Sequence, residues 1–310
     1  MRIVVLGTGP FAVPSLRGLC ESSHEVVCAV SRPPKGRRAK PAPVTIAAEG
    51  LGIETWLPET VNSDEARARL AELTPDLLMV CDYGEILKST SLEVARLGGI
   101  NLHGSLLPKY RGAAPVQWAV LNGDLETGNT VIQMTPGLDA GPSLGIQRIP
   151  IDPDETAGEL EARMADLGAE LVLDVVTQLD NGTTTPEPQD KSLATKAPRL
   201  HKQQGEIDWS QSATKIKNQV RALQPWPRAF THWQRSEGDP VRLIVHRVVI
   251  DNETSTNAAA GVVVSTEPTL LVATGEHCLQ LKEVQPAGKR VMAAEEFLRG
   301  YAVQVGDRLA

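Results

Sequence analysis

A doubly wound α/β fold followed by a smaller, β-rich domain is predicted for this 310-residue chain by three observations. Short apolar runs alternate with helical stretches through the first half. The last helical pattern stops at the turn-rich segment Asn181 to Pro188. Beyond Trp209 the pattern changes to short β-rich runs with turn residues between them. Strands joined by helical crossovers form a parallel sheet covered on both faces, because each crossover lays a helix across the sheet. Arg2 to Leu6 reads as the first strand, turning at Gly7-Thr8-Gly9-Pro10 into a helix through Cys20. Glu25 to Val30 follows as a strand, Ser63 to Leu73 as a helix, Asp76 to Cys81 and Gly99 to His103 as strands, and Ala157 to Leu179 as a helix. In the second half Ser212 to Ala222 reads as a helix. Val241 to Ile250, Gly261 to Ser265, Leu270 to Thr274 and Cys278 to Val284 read as strands whose spacing suits a small antiparallel barrel or a sandwich. The expected division is a first domain over residues 1–182, a linker over 183–201 and a second domain over 202–310.

Composition sets several classes aside. The chain is 41% hydrophobic and 22% charged, so it has the apolar content that disordered chains lack. No run approaches the ~18 consecutive apolar residues of a membrane span, and Met1-Arg2-Ile3 enters the first strand without a signal-peptide layout. The expectation is a cytoplasmic protein. Cys20, Cys28, Cys81 and Cys278 lie neither in CxxC pairs nor beside histidines at metal-ligand spacing, so buried free thiols are expected and no metal. The net charge of −7 argues against nucleic acid until it is divided by segment. Lys196 to Arg247 holds ten basic and four acidic residues, an excess of six that leaves the remainder at −13. A second cluster, Arg32, Lys35, Arg37, Arg38 and Lys40, lies in a Pro/Gly-rich stretch that reads as an exposed loop. One such cluster is commonly a solvated face, whereas two in an acidic chain point to a polyanionic partner.

Three segments could carry chemistry. Gly7-Thr-Gly-Pro-Phe-Ala12 approximates a dinucleotide fingerprint, but the second strand ends without the acid that binds a ribose, and Pro10 and Pro14 disturb the helix start. A tight strand-to-helix turn is the better reading. In Gly99 to His103, Asn101 and His103 are two residues apart and share one face of the strand. They offer an amide donor beside a proton carrier at the edge where open parallel sheets bind ligands. Asp139, in Gly137-Leu-Asp-Ala-Gly141, reads equally as a turn former or as the partner of an imidazole. Ser105 lacks the strained elbow of a serine nucleophile.

The run Asn101-Leu-His103-Gly-Ser105-Leu-Leu-Pro108, then Lys-Tyr-Arg-Gly-Ala-Ala-Pro and Gly137-Leu-Asp139-Ala-Gly141, resembles the folate-dependent formyltransferase family. Thr195 to Pro198, Gly205 to Trp209, Asn218 to Arg221, Pro225-Trp-Pro227 and Leu281 to Lys289 narrow the likeness to members acting on initiator methionyl-tRNA, and it covers nearly the whole chain. The resemblance implies a Rossmann-type catalytic domain and a C-terminal β-barrel resembling an OB-fold that helps bind tRNA. It implies 10-formyltetrahydrofolate as cosubstrate, no metal, no membrane and a monomer. Asn101, His103 and Asp139 take the catalytic positions. Folate is expected near Tyr83, Gly84 and Ile86 and near Ser105, Leu106, Leu107 and Pro108. Initiator tRNA is expected at Arg32, Lys35, Arg37, Arg38 and Lys40, and at Lys202 and Lys215. Lys88 and Pro142 depart from the family pattern. The competing expectations are an amino sugar, purine intermediate or water as acceptor, a noncatalytic RNA-binding module, and a nicotinamide dehydrogenase.

Overall fold

The computed structural model describes every residue except Lys35, Arg37, Arg38, Ser236 and Glu237. The chain divides into two compact units. The first takes Met1–Val116, Glu126–Pro150 and Glu159–Pro198, and the second Gln117–Leu125, Ile151–Gly158 and Arg199–Ala310.

The first unit begins with β1 (Arg2–Gly7), α1 (Val13–Glu21), β2 (Glu25–Val30), α2 (Pro43–Gly50), β3 (Thr55–Trp56), α3 (Asp64–Glu72), β4 (Leu77–Cys81), α4 (Ser89–Leu92) and β5 (Gly99–His103). Pro43 opens α2 at a position where a missing N–H costs nothing. The Ser63 hydroxyl caps α3 by accepting from the Ala66 N–H at 3.2 Å. β6 (Arg111–Gly112), α5 (Pro115–Asn122), β7 (Glu126–Gln133), β8 (Ser143–Pro150), α6 (Ala157–Asn181) and β9 (Lys196–Ala197) follow.

The main sheet has the order β3-β2-β1-β4-β5-β7-β8. Its first five strands are parallel, as the alternating pattern predicts. All five residues of β4 are buried, which is why the sequence there is a continuous apolar run rather than an alternating one. Val4, Leu6, Cys28, Val30, Leu78 and Val80 form one packed face with Leu70 and Tyr83.

The sheet is mixed, not wholly parallel. β7 and β8 extend it as an antiparallel hairpin, and the sequence gives no apolar run to announce β7, which reads Glu-Thr-Gly-Asn-Thr-Val-Ile-Gln. Thr127, Asn129 and Thr130 are buried there. The Asn129 amide donates to the Met164 carbonyl at 2.8 Å and the Thr130 hydroxyl to the Ser105 carbonyl at 2.7 Å. Buried polar groups that find partners cost little, but those partners lie far away in sequence.

The second unit contains α7 (Ala213–Ala222), β10 (Ala229–Gln234), β11 (Val241–Asp251), β12 (Val263–Ser265), β13 (Leu270–Ala273), β14 (Cys278–Pro286), β15 (Met292–Ala293), α8 (Ala294–Gly300) and β16 (Arg308–Leu309). The strand order is β12-β13-β14-β11-β10-β16, with β15 on β14. A bridge between Val262 and Arg308 returns the last strand to the first. The result is a nearly closed antiparallel barrel, which resolves the choice between barrel and sandwich. Its interior packs Trp209, Trp233, Leu243, Val245, Leu279 and Phe297. The buried indole N–H of Trp209 donates to the Thr231 hydroxyl at 3.0 Å, so the large ring enters the core without an orphaned donor. The sequence reading gives no strand at Ala229–Gln234. Ala229, Thr231 and Trp233 alternate as its buried positions, a pattern too mixed in residue type to stand out.

Among the described residues no helix is long and apolar enough to cross a membrane. The cysteines are unpaired, Cys28, Cys81 and Cys278 buried and Cys20 half-buried.

Candidate active site

β5 positions the first two groups. Asn101 and His103 sit on the face shared with Val80 and Leu78, because Leu78 pairs with Gly99 and Val80 with Asn101 in parallel register. His103 is buried, 6% exposed. Its Nε2 lies 2.9 Å from the Tyr110 carbonyl; a carbonyl only accepts, so Nε2 carries the proton. In the neutral ring the free lone pair is therefore on Nδ1, which faces a carboxylate oxygen of Asp139 at 3.8 Å. That separation is too long for a hydrogen bond, and a positive ring formed in the reaction would stand beside an opposite charge. The Tyr110 carbonyl, rather than Asp139, makes the bond that fixes the ring. Asn101 is half-buried, and among the described residues its side-chain amide has no hydrogen-bond partner.

Asp139 reaches His103 by a route the sequence does not reveal. β7 runs antiparallel to β5 and ends with Gln133 opposite Ile100, at the far end of the strand from His103. The loop to β8 then brings Asp139 back to the imidazole. Three contacts hold it there. The Gly112 N–H donates to the Asp139 carboxylate at 2.9 Å, and the Gln189 amide donates to the carbonyls of Asp139 at 2.9 Å and Gly141 at 2.7 Å. Arg111 donates to the Gln189 carbonyl oxygen through Nε at 3.2 Å and Nη2 at 2.6 Å. Arg111 and Gly112 form β6, which pairs with β9. Gln189 carries no sequence signal, since it lies in an irregular stretch and acts only through tertiary contacts. Gly141 is required by close approach: a Cβ there would overlap the Gln133 carbonyl. Gly141→Ala is expected to cost on the order of 1–3 kcal/mol through forced backbone movement and to lower turnover by displacing Asp139, checked by a urea midpoint and a rate on the same preparation.

The Ser105 to Pro108 segment is a tight loop at the end of β5. The Ser105 hydroxyl donates to the Lys109 carbonyl at 2.7 Å, and the Leu107 N–H donates to Thr130 Oγ1 at 3.2 Å. Ser105 and Leu107 are buried while Leu106 and Pro108 are half-buried, so the latter two present side-chain surface. In the loop after β4, Tyr83 is 2% exposed, whereas Ile86 is 63% exposed. Gly84 has φ +82°, in the left-handed region that glycine enters without strain. Leu138, beside Asp139, is a further exposed apolar side chain. Glu85 is taken up internally, accepting from the Thr60 hydroxyl, from the Asn62 amide at 2.8 Å and from Arg32 Nη1 at 2.8 Å.

Arg32 is thus held at the base of the basic segment, and Lys40 is exposed. Lys35, Arg37 and Arg38 lie outside the described residues. In the second unit Lys202 and Lys215 are exposed. Other cations of the basic stretch are used within that unit. Lys217 pairs with Asp154 at 2.6 Å, and the buried Arg221 donates to the carbonyls of Asp152 at 3.1 Å and Glu155 at 3.3 Å.

Comparison with known proteins identifies the family. The profile of the formyl transferase family matches residues 1–176, and that of the formyl transferase C-terminal domain matches residues 199–302. The methionyl-tRNA formyltransferase of Rhodopirellula baltica is 42% identical over 324 residues, covering 100% of this chain and 96% of the relative. That of Desulfotalea psychrophila is 44% identical over 305 residues, covering 97% and 93%. Among solved structures, an N-formyltransferase from Helicobacter canadensis in complex with folinic acid and dTDP-3-aminofucose superposes with a TM-score of 0.69 at 18% identity, over 92% of this chain and 98% of that one. HypX from Aquifex aeolicus in complex with tetrahydrofolic acid gives 0.63 at 16%, over 98% of this chain and 48% of that one. At such identities the structural likeness shows the fold alone.

Proposed function

The chain belongs to the formyl transferase family, and from that premise we infer that it moves the formyl group of 10-formyltetrahydrofolate onto the α-amino group of methionyl initiator tRNA, supporting translation initiation. The end-to-end identity to methionyl-tRNA formyltransferases carries the acceptor. The observation that carries the chemistry is the pairing, on one face of β5, of an amide without a hydrogen-bond partner among the described residues and an imidazole whose Nδ1 faces a carboxylate.

The residues present suit the folate. Exposed Ile86 and Leu138 offer apolar surface to ring systems, and Gly84 leaves room without a side chain. Ser105, Leu106, Leu107, Pro108, Tyr83, Gly84 and Ile86 form the proposed folate site, the buried ones through backbone and loop shape. When bound, the folate supplies an activated formyl group on N10.

The protein's own groups then act as follows. His103 Nδ1 accepts the proton released as the amine bonds to the formyl carbon, general-base help worth roughly 10²- to 10⁴-fold. The Asn101 amide donates to the formyl oxygen as it gains negative charge. Asp139, held by Gly112 and Gln189, stabilises the imidazolium across 3.8 Å. His103 returns the proton to the departing folate nitrogen, so, counted from the neutral amine, the products are formylmethionyl-tRNA and tetrahydrofolate with no proton left over.

Residues 1–182 are proposed as the catalytic domain, 183–201 as a linker and 202–310 as the tRNA-binding barrel, in a monomer working in the cytoplasm. For tRNA the proposed contacts are Arg32, Lys35, Arg37, Arg38, Lys40, Lys202 and Lys215. The Arg37→Ala, Arg38→Ala double variant is expected to bind tRNA more weakly and with a shallower salt dependence, by about 1.4 to 1.8 in the slope of log K against log salt if both contact phosphate. An unchanged slope removes that loop from the interface. The whole reading is tested by radiolabelled formyl transfer from 10-formyltetrahydrofolate onto charged initiator tRNA, with elongator methionyl-tRNA as control. Absence of transfer to the initiator species would overturn it.

A further inference from the structure

The glycine-containing turn after β1 has no part in the site described so far, yet it adjoins it. Gly104, the residue after His103, is packed so that a Cβ there would lie 3.4 Å from the ring of Phe11. Phe11 therefore ties the turn to the end of the catalytic strand. In the sheet, the chain leaves β1 toward β2 on one side and β4 toward β5 on the other. The crevice outside the carboxyl ends of β1 and β4 is thus the switch point at which open α/β sheets take ligands.

A charged group, Asp82, stands at that strand end. Asp82 follows β4 directly and is level with His103, because Val80 pairs with Asn101 on the neighbouring strand. Its carboxylate lies over Gly9, where a Cβ would overlap it, and its backbone carbonyl accepts from the N–H groups of Thr8 at 3.0 Å and Gly9 at 3.4 Å. Among the described residues the carboxylate has neither a hydrogen-bond donor nor a cation. The nearby guanidinium of Arg32 is committed to Glu85. Asp82 is an exposed residue, and desolvation by the protein against its carboxyl pushes that group up to about 6. Its φ of +47° is a conformation that aspartate, asparagine and glycine tolerate best.

We propose that Asp82 binds the α-ammonium of the methionyl group on the acceptor tRNA and holds that nitrogen beside His103, one ammonium proton passing to solvent before the neutral amine attacks. The proposal rests on the formyl-transfer reading and deepens it. Of the two substrates only the acceptor brings a cation to the reacting end, and an unpaired carboxylate complements a cation. The carboxylate is turned toward β1 and the turn at Gly9, whereas Gly84 and Ile86, later in the same loop, belong to the proposed folate site. Among the described residues this carboxylate has no partner, and the substrate supplies one.

The test compares methionyl-tRNA with the same tRNA carrying the 2-hydroxy analogue of methionine, which lacks only the ammonium. In the parent protein, methionyl-tRNA is expected to bind about 10- to 100-fold more tightly than the hydroxyacyl species, the span of a hydrogen bond to a charged group. Asp82→Asn is expected to erase that preference and to raise KM for methionyl-tRNA by at least about tenfold, with KM for 10-formyltetrahydrofolate unchanged. Asn keeps the left-handed backbone and removes a charge that burial disfavours, so the variant should melt no lower than the parent. Asp82→Gly, equally compatible with that φ, gives the same comparison if the asparagine variant does not fold. A retained preference for methionyl-tRNA, or a rise confined to the folate KM, overturns the assignment. A parent that formylates no methionyl-tRNA overturns the formyl-transfer reading instead.

Discussion

His103→Ala is expected to slow single-turnover formyl transfer by about 10²- to 10⁴-fold, the largest single-residue effect this site should show. The substitution removes the group placed both to take the amine's proton through Nδ1 and to face Asp139. It also removes the hydrogen bond from His103 to the Tyr110 carbonyl, and losing such a bond typically costs about 0.5–1.5 kcal/mol. Part of any loss could then come from a distorted loop. His103→Gln separates the two, because its side-chain amide can still donate to the carbonyl but cannot carry a proton at neutral pH. A glutamine variant that melts like the parent yet is as slow as alanine assigns the loss to proton transfer. Near-normal single-turnover rates in both variants would remove His103 from the chemistry. Single-turnover conditions matter because product release could otherwise mask the step.

Asn101→Ala should reduce the same rate by about 10²- to 10³-fold, the usual effect of removing one donor to a developing oxyanion. Stability should hardly change, because among the described residues the Asn101 side chain has no protein partner to lose. That contrast sets it apart from His103. Asn101→Asp should be at least as slow, since it places negative charge where negative charge accumulates. Binding of tRNA is expected to remain at the parental level in both variants. A slow alanine variant with a markedly lowered urea midpoint would show that Asn101 supports the fold instead.

Much of the site is legible in the chain because its central pair is local. Asn101 and His103 are two residues apart on a strand, and strand geometry alone puts them on one face. Asp139 is legible only as a residue type in a turn-rich loop. Its path from the far end of β5 back to His103 depends on the β7–β8 hairpin, whose buried Thr127, Asn129 and Thr130 hide the strand from any apolar pattern. Gln189, which holds the aspartate loop, is 50 residues away from Asp139 and has no signature at all. The summed charge behaves similarly. The sequence separates a basic stretch from an acidic remainder, but only the folded second unit reveals that Lys217 and Arg221 are engaged within it while Lys202 and Lys215 stay exposed.

Local periodicity and motif spacing by themselves determined the alternating parallel half, the β-rich second half and the family likeness, because these depend on the order of nearby residues. Tertiary structure alone decided that the sheet ends in an antiparallel hairpin, that the Tyr110 carbonyl fixes the imidazole, and that the Asp82 carboxylate lies over Gly9. Each of these depends on which distant group fills a given space, and no local rule of sequence encodes that when the partners are polar groups satisfied across the fold.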